Sequence, residues 1–102
     1  MNNHAEKLTQ LVTITLQQGA SDLHLIHGYH PMIRVSGLLV PLVKEEKLTK
    51  EDTLGLSTAL LSPENKERFL STQEIDFAWC FKEKARFRGN CYFSRGGIGI
   101  AL

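Results

Sequence analysis

Apolar side chains recur at helical spacing near the start of the chain, and further along they recur at every second position. Four aliphatic residues lie three or four positions apart in the first segment: Leu8, Leu11, Val12 and Leu16. This spacing predicts an amphipathic helix, and Gly19 provides a stop signal just beyond it. Residues 22–26 then alternate between polar and apolar side chains, which predicts a half-buried strand with Leu23 and Leu25 facing the core.

A short hairpin is predicted after this strand. Residues 33–35 and 38–40 are short and mainly apolar, and Ser36 and Gly37 between them form a turn signal. The two segments therefore predict a second and a third strand joined by a tight turn.

The middle of the chain predicts two helices. Thr49 precedes two acidic residues, as an N-cap does, and the leucines of residues 54–61 can supply a buried face. Ser62 followed by Pro63 is the pattern of a second N-cap, because proline at the first helical position loses no hydrogen bond. This last helix is expected to end near Leu70.

The last third of the chain predicts three more strands, over residues 75–81, 85–93 and 98–102. In the middle one of these, the inward face is predicted to hold Ala85, Phe87, Gly89, Cys91 and Phe93. The outward face is predicted to hold Arg86, Arg88, Asn90 and Tyr92.

The predicted order of elements is α-βββ-αα-βββ, which indicates an α+β fold with a mostly antiparallel sheet and helices on one face. The chain has 102 residues, of which 42% are hydrophobic, and this size is typical of one domain. No repeat or linker divides the sequence, so residues 1–102 are predicted to form a single domain. The length argues against a complete nucleotide-hydrolysing or dehydrogenase fold.

The charged residues are nearly balanced, with 12 Lys and Arg against 11 Asp and Glu and a formal net charge of +1. Such a balance does not favour general electrostatic binding to nucleic acid or membranes. No apolar run approaches the roughly 20 residues that span a bilayer, and the polar N-terminus lacks a signal-peptide core. Cys80 and Cys91 are expected to be buried free thiols, and a cytoplasmic location is expected.

The common motifs of autonomous catalysis are absent from the sequence. It contains no G-x-x-x-x-G-K-[ST] phosphate loop, no G-x-S-x-G elbow and no C-x-x-C pair. His24, His27 and His30 are close together, but zinc needs three or four converging ligands and no companion cluster is evident. The sequence therefore predicts no autonomous enzyme and no metal site, with His27 and His30 on a surface loop and His24 beside Asp22.

The basic residues are concentrated near the end of the chain. Residues 82–95 contain five basic side chains against Glu83 alone, a local net charge of +4. Arg86 and Arg88 are two positions apart on one predicted strand, so they project from the same face about 7 Å apart. Such a pair suits a phosphate or carboxylate ligand, whereas composition alone favours ordinary surface ion pairs with neighbouring carboxylates.

Two blocks of the sequence carry a family resemblance that covers nearly the whole chain. The first consists of Ala20-Ser21-Asp22-Leu23-His24-Leu25, Gly28, Pro31-Met32-Ile33-Arg34-Val35 and Gly37. The second consists of Glu74-Ile75-Asp76-Phe77-Ala78, Ala85-Arg86-Phe87-Arg88-Gly89-Asn90 and Arg95-Gly96-Gly97. In order and spacing the second block resembles the "EIDFS…ARFRVN…RGG" pattern of PilT-like motor ATPases. These belong to the type II/IV secretion ATPase superfamily and include the type IV pilus retraction motors of twitching motility.

The resemblance implies a PAS-like N-terminal domain that precedes a RecA-like ATPase domain in a homo-hexamer. It implies that this domain packs on the adjacent subunit's ATPase domain and directs arginines toward the phosphates of ATP, which is bound with Mg in the parent protein. Arg88 is the best positional match for such an arginine, with Arg86 beside it and Arg95 as a third candidate. A second family arginine would directly follow Leu102.

The resemblance also implies a place for the parent protein in a larger machine. It would be cytoplasmic and peripheral to the inner membrane, with the platform protein of the pilus base as a partner and no nucleic acid. Gly89 stands where the family pattern often has Val, and we expect it to loosen that strand locally. The chain itself, without the phosphate loop, is expected not to hydrolyse ATP.

A different class of function stays open from the sequence. A free-standing PAS-like module that senses a ligand or binds proteins would have a pocket lined by Phe77, Trp79 and Phe87. These aromatic residues are also what an ordinary hydrophobic core requires. An encoded phosphate loop downstream of Leu102 would favour the motor ATPase, and an immediate stop codon would favour the sensing module.

Overall fold

The computed structural model describes residues 3–83 and 85–102, so Lys84 of the basic segment lies outside the described residues. The described residues form three helices and six strands in the predicted order α-βββ-αα-βββ. The elements are α1 (His4–Gln17), β1 (Asp22–Ile26), β2 (Met32–Val35), β3 (Leu38–Pro41), α2 (Lys50–Leu60), α3 (Pro63–Thr72), β4 (Glu74–Phe81), β5 (Ala85–Ser94) and β6 (Gly97–Ala101). Within residues 3–83 and 85–102, none of the helices combines the length and the hydropathy of a membrane span.

Each helix begins at a side chain that accepts a hydrogen bond from the first turn. Asn3 caps α1 by accepting from the backbone N–H of Glu6 at 3.1 Å. Thr49 and Asp52 cap α2 reciprocally, each side chain accepting from the other residue's backbone N–H, at 3.0 and 2.9 Å. Ser62 caps α3 ahead of Pro63. The N-caps predicted at residues 49 and 62 are therefore confirmed.

The six strands form one sheet in the order β3-β2-β1-β6-β5-β4, and every described pairing is antiparallel. Two of the hairpins are closed by two-residue turns with positive φ at both positions. These are Ser36-Gly37, with φ of 52° and 81°, and Arg95-Gly96, with φ of 51° and 77°. Such turns match the right-handed twist of the strands that they join. The central position of β6 brings the two halves of the chain into one sheet.

The helices pack on one face of the sheet, and the α+β prediction is confirmed. Leu23, Leu25 and Ile100 are completely buried on that face. They join Leu11 and Val12 of α1 in the hydrophobic core. Burial at this scale stabilises the fold by about 2 kcal/mol for each large aliphatic side chain. The opposite face of the sheet carries the polar side chains and is called the open face below.

Three predictions of burial are wrong in detail. Leu16 is 40% exposed, and Thr15 is buried in its place with its hydroxyl donating to the carbonyl oxygen of Leu11. Phe93 is 37% exposed, although its ring stacks on Phe69 with centroids 4.8 Å apart. Both cysteines are free as predicted, but only Cys91 is buried, because Cys80 projects from the open face of β4.

Candidate functional site

A shallow trough on the open face brings the charged residues of both sequence blocks together. Its volume is about 640 Å³, and its polar lining comes from three strands, β1, β4 and β5: Asp22, His24, Asp76, Arg88 and Asn90. Ala101 of β6 lies between the two sides. Because alanine is small, the neighbouring strands supply the side chains that line the walls.

Strand register explains why these residues meet. His24 pairs with Ala101, Ala101 pairs with Asn90, and Asn90 pairs with Asp76, so one row crosses β1, β6, β5 and β4. Side chains in one row of a sheet lie on the same face about 5 Å from their neighbours. Residues separated by tens of positions in the sequence therefore form one surface.

Arg86 and Arg88 project from the open face of β5, as predicted, and both are exposed. Their directly opposite neighbours on β4 are Cys80 and Ala78, which carry no charge. Among the described residues, neither guanidinium has a carboxylate oxygen within 4.0 Å. The ordinary ion pairs that composition favours are thus not formed there, and the two arginines present unpaired positive charge to solvent.

Asp22 on the β1 side of the trough is held by several donors. Its Oδ1 accepts from the Ser21 hydroxyl at 2.5 Å, while Oδ2 lies 2.5 Å from His24 Nε2 and 3.2 Å from Arg34 Nε. Partial burial alone would raise the pKa of Asp22, but these hydrogen bonds outweigh it and lower the pKa below its ordinary value. Asp22 is therefore an anion with its oxygens already engaged.

Asp76 on the β4 side is held by Asn90. The Asn90 side-chain amide donates to Asp76 Oδ1 at 2.8 Å and also lies 3.3 Å from Glu74 Oε2. This cluster links two carboxylates of β4 to a neutral residue of β5. Asn90 lies on the face of β5 that the alternation predicts, but no sequence pattern indicates its contact with Asp76.

The structure separates Arg95 from the other two candidate arginines. Arg95 is exposed in the turn between β5 and β6, seven residues beyond Arg88. At the rise of a β-strand, seven residues span about 23 Å. Arg86 and Arg88 can therefore contact the same anion, whereas Arg95 lies at the other end of the sheet.

Two of the three neighbouring histidines hold the loop that follows β1. His27 Nε2 lies 2.8 Å from the carbonyl oxygen of Ser94, and His30 Nδ1 lies 2.7 Å from that of Glu45. Both residues lie in the loop, as predicted, and their side chains are half-buried there. No group of three or more His, Cys, Asp or Glu side chains that could hold a metal ion occurs within residues 3–83 and 85–102.

Aromatic residues that could line a ligand pocket are used in packing. The Trp79 ring centroid lies 5.8 Å from that of Phe87, and both side chains pack against the hydrophobic core. Tyr92 is half-buried and covers Gly99, where an added Cβ would lie 2.4 Å from the Tyr92 ring. Burial also raises the pKa of the Tyr92 hydroxyl.

Gly89 is required by close packing at the edge of the trough. An added Cβ there would lie 2.5 Å from Phe77 Cζ and 2.9 Å from Leu102 Cδ2. The pairing of β5 with β4 continues through Gly89, which is opposite Phe77. The Phe77 ring occupies the space that a side chain at position 89 would fill, and the expected local loosening of the strand stays a prediction.

The sequence resembles two pilus ATPases of Pseudomonas aeruginosa. The type IV pilus retraction ATPase PilT is 34% identical over 95 residues, which cover 93% of this chain and 27% of PilT. The type IV pilus ATPase PilU is 26% identical over 93 residues, which cover 91% of this chain and 24% of PilU. This chain thus spans about a quarter of the length of these curated relatives. No protein-family model matches it.

Solved structures give the same result for the fold. The crystal structure of the pilus retraction motor PilT with bound ADP matches with a TM-score of 0.85 and 30% identity, covering 92% of this chain and 27% of that chain. The ATPase DotB of Legionella pneumophila matches with a TM-score of 0.79 and 21% identity, covering 96% of this chain and 28% of that chain. The DotB likeness shows the fold alone.

Proposed function

We propose that this chain, a homologue of the N-terminal domain of PilT-like ATPases of the type II/IV secretion superfamily, is a domain of a hexameric motor that drives type IV pilus retraction. In this proposal the domain packs on the adjacent subunit's RecA-like ATPase domain. It presents Arg88, with Arg86 beside it, to the phosphates of ATP. The observation that carries the proposal is the pair of exposed arginines on the open face, neither of which has a carboxylate oxygen within 4.0 Å among the described residues.

The chemistry of phosphoryl transfer gives such an arginine a purpose. Negative charge on the oxygens of the transferred phosphoryl group is stabilised by a guanidinium delivered from a second structural unit. The guanidinium is most effective when its backbone is rigid. Arg88 meets this requirement, since its strand pairs with β4 from Glu74 to Phe81 and its neighbour Phe87 packs against the core.

The register of β6 supports the second arginine that the family pattern places after Leu102. Leu102 exchanges two backbone hydrogen bonds with Leu23, at 2.8 and 3.0 Å. Continuing the same ladder by one residue brings the next position between Asp22 and Arg88, with its side chain on the open face. An arginine there would extend the positive surface of Arg86 and Arg88.

The remaining assignments follow from the same proposal. ATP and Mg bind the ATPase domain of the parent protein, and this chain contributes arginines, which suit phosphate and do not ligate Mg. The parent protein is cytoplasmic and acts at the inner-membrane platform protein of the pilus base. Arg95, at the far end of the sheet, could reach only a different phosphate site from Arg88.

ATP turnover by the full-length parent protein tests the proposal. We expect Arg88→Ala to lower kcat by about a thousandfold or more, the scale for loss of a transition-state arginine, while the thermal unfolding of the 102-residue chain is unchanged. The kcat values of Arg86→Ala and Arg95→Ala measure how much the other two candidate arginines contribute to ATP turnover. Arg68→Ala, at an exposed position of α3 on the helical side, is the matched control and leaves turnover unchanged. Normal turnover by Arg88→Ala would remove Arg88 from this role.

A free-standing PAS-like sensing module is the second candidate function. It would need a ligand-sized cavity among the aromatic residues, but Trp79 and Phe87 pack on each other and on the core. The resemblance to the pilus ATPases does not favour a sensing module either. A chain that ends at Leu102 in the genome would favour this alternative.

A further inference from the structure

Arg88 lies within reach of a carboxylate with which it does not pair. On β4 its directly opposite neighbour is Ala78, and Asp76 is the next residue along on the same face. Such diagonal neighbours on antiparallel strands are about 7–8 Å apart, close enough for long side chains to interact. An ion pair between Arg88 and Asp76 is therefore available to the sheet, yet neither oxygen of Asp76 is within 4.0 Å of the guanidinium.

Asn90 provides the alternative partner for Asp76. It is directly opposite Asp76 in the ladder, and its side-chain amide donates to Asp76 Oδ1 at 2.8 Å. Because the acceptor is charged, this hydrogen bond is stronger than one between neutral groups. The same amide lies 3.3 Å from Glu74 Oε2 and so also eases the repulsion between the two carboxylates of β4.

The acidic residue on the other side of the trough is engaged in a similar way. Asp22 interacts with the Ser21 hydroxyl, with His24 and with Arg34. Each carboxylate that lines the trough with Arg88 thus interacts with another donor, Asp22 through both oxygens and Asp76 through Oδ1. This arrangement leaves the Arg88 guanidinium free to bind an anion that is not part of this chain.

We propose that Asn90 is a positioning residue, which keeps Arg88 available by holding the Asp76 carboxylate away from it. The identity of the external anion as a phosphate of ATP rests on the proposed function, but the competition between Asn90 and Arg88 for Asp76 does not. Loss of the Asn90 amide releases Asp76 to pair with Arg88. Without the charge of Asp76, Arg88 has no carboxylate on β4 to pair with, so it stays available even when the Asn90 amide is absent.

Modification of arginines by phenylglyoxal in the 102-residue chain, followed by mass spectrometry, tests this competition directly. An ion-paired guanidinium reacts more slowly than a free one, and Arg86 is the internal reference because no carboxylate is directly or diagonally opposite it on β4. In Asn90→Ala we expect the ratio of Arg88 to Arg86 modification to fall about threefold, the scale of a solvent-exposed ion pair. Asn90→Val gives the same fall in this ratio. Because valine favours strands, this variant shows that the fall does not come from local unfolding of β5.

Second substitutions in the Asn90→Ala background distinguish a positioning role of Asn90 from a purely structural one. Asp76→Asn in the Asn90→Ala background restores the wild-type ratio, whereas Glu74→Gln, two residues further from Arg88, does not. The proposal would be overturned if the ratio of Arg88 to Arg86 modification were unchanged in Asn90→Ala and Asn90→Val. It would also be overturned if, in the Asn90→Ala background, Glu74→Gln restored the ratio and Asp76→Asn did not. In the parent ATPase, Asn90→Ala lowers kcat and Asp76→Asn restores it. If the labelling follows this pattern but Arg88→Ala leaves turnover intact, the competition stands and the proposed function fails.

Discussion

The imidazole of His24 lies 2.5 Å from the carboxylate of Asp22, from Nε2 to Oδ2, on the open face of β1. Alternate residues of a strand share a face, so the Asp-x-His spacing within the first family-like block produces this contact. Arg34 of the neighbouring strand β2 reaches the same carboxylate oxygen at 3.2 Å. The block thus forms one wall of the trough through a local network of charge and hydrogen bonds.

This network predicts a pH-dependent contribution of Asp22 to stability. Its pKa is held below the ordinary value of 3.8, so its contribution is complete above about pH 5 and is lost as the pH falls through the folded-state pKa. We expect Asp22→Asn to lower the free energy of unfolding by about 1 kcal/mol at pH 7. Urea unfolding at pH 7 and pH 3.5 measures the free energies of unfolding of Asp22→Asn and the wild type. We expect the difference between the two proteins to be smaller at pH 3.5.

Glu67→Gln is the control for this comparison, because Glu67 is exposed on α3 and forms no ion pair within the described residues. Its unfolding free energy is expected to match the wild type at both pH values. A constant difference between Asp22→Asn and the wild type from pH 7 to pH 3.5 would show that the Asp22 charge makes no contribution.

The reciprocal cap of α2 predicts a second stability change. Thr49→Ala removes the hydroxyl that accepts from the Asp52 N–H at 3.0 Å, and we expect it to cost about 1 kcal/mol. Thr49→Ser keeps the accepting oxygen and loses much less. Equal unfolding free energies for Thr49→Ala and Thr49→Ser in urea titrations would contradict a role for this cap.

The two cysteines are predicted to differ in reactivity. Cys91 is completely buried, and its burial raises the pKa of the thiol to about 12, whereas Cys80 is exposed. Because the thiolate is the reactive form, iodoacetamide at pH 8 labels Cys80 in the folded chain and leaves Cys91 unlabelled. In Cys80→Ser, labelling of Cys91 requires urea at an unfolding concentration. Rapid labelling of Cys91 without urea would contradict its burial.

Local patterns in the sequence were sufficient to predict the order of the elements and the α+β class. Strand alternation identified the inward Leu23 and Leu25, and turn and cap residues such as Ser62 located the breaks between elements. Errors occurred where burial depends on tertiary packing. Leu16 is exposed because α1 turns Thr15 toward the core, and a hydroxyl can be buried there since it bonds within the helix.

The candidate site was predictable only in part. Alternation along β5 placed Arg86, Arg88 and Asn90 on one face, as the structure confirms. It could not reveal that Asn90 lies opposite Asp76, because strand register depends on the pairing of distant segments. The strands predicted over residues 85–93 and 98–102 already placed Arg95 in the connection between them, seven residues beyond Arg88.

We propose that Arg88 acts on ATP bound by the neighbouring subunit. Mixed assembly of two inactive forms of the parent protein tests this role. One form carries Arg88→Ala, and the other keeps Arg88 but has a disabled phosphate loop. If Arg88 acts across the subunit boundary, mixed hexamers contain sites that join an intact phosphate loop to an intact Arg88, and ATPase activity rises above that of either form alone. If mixing restores no activity, Arg88 does not act on the neighbouring subunit's ATP.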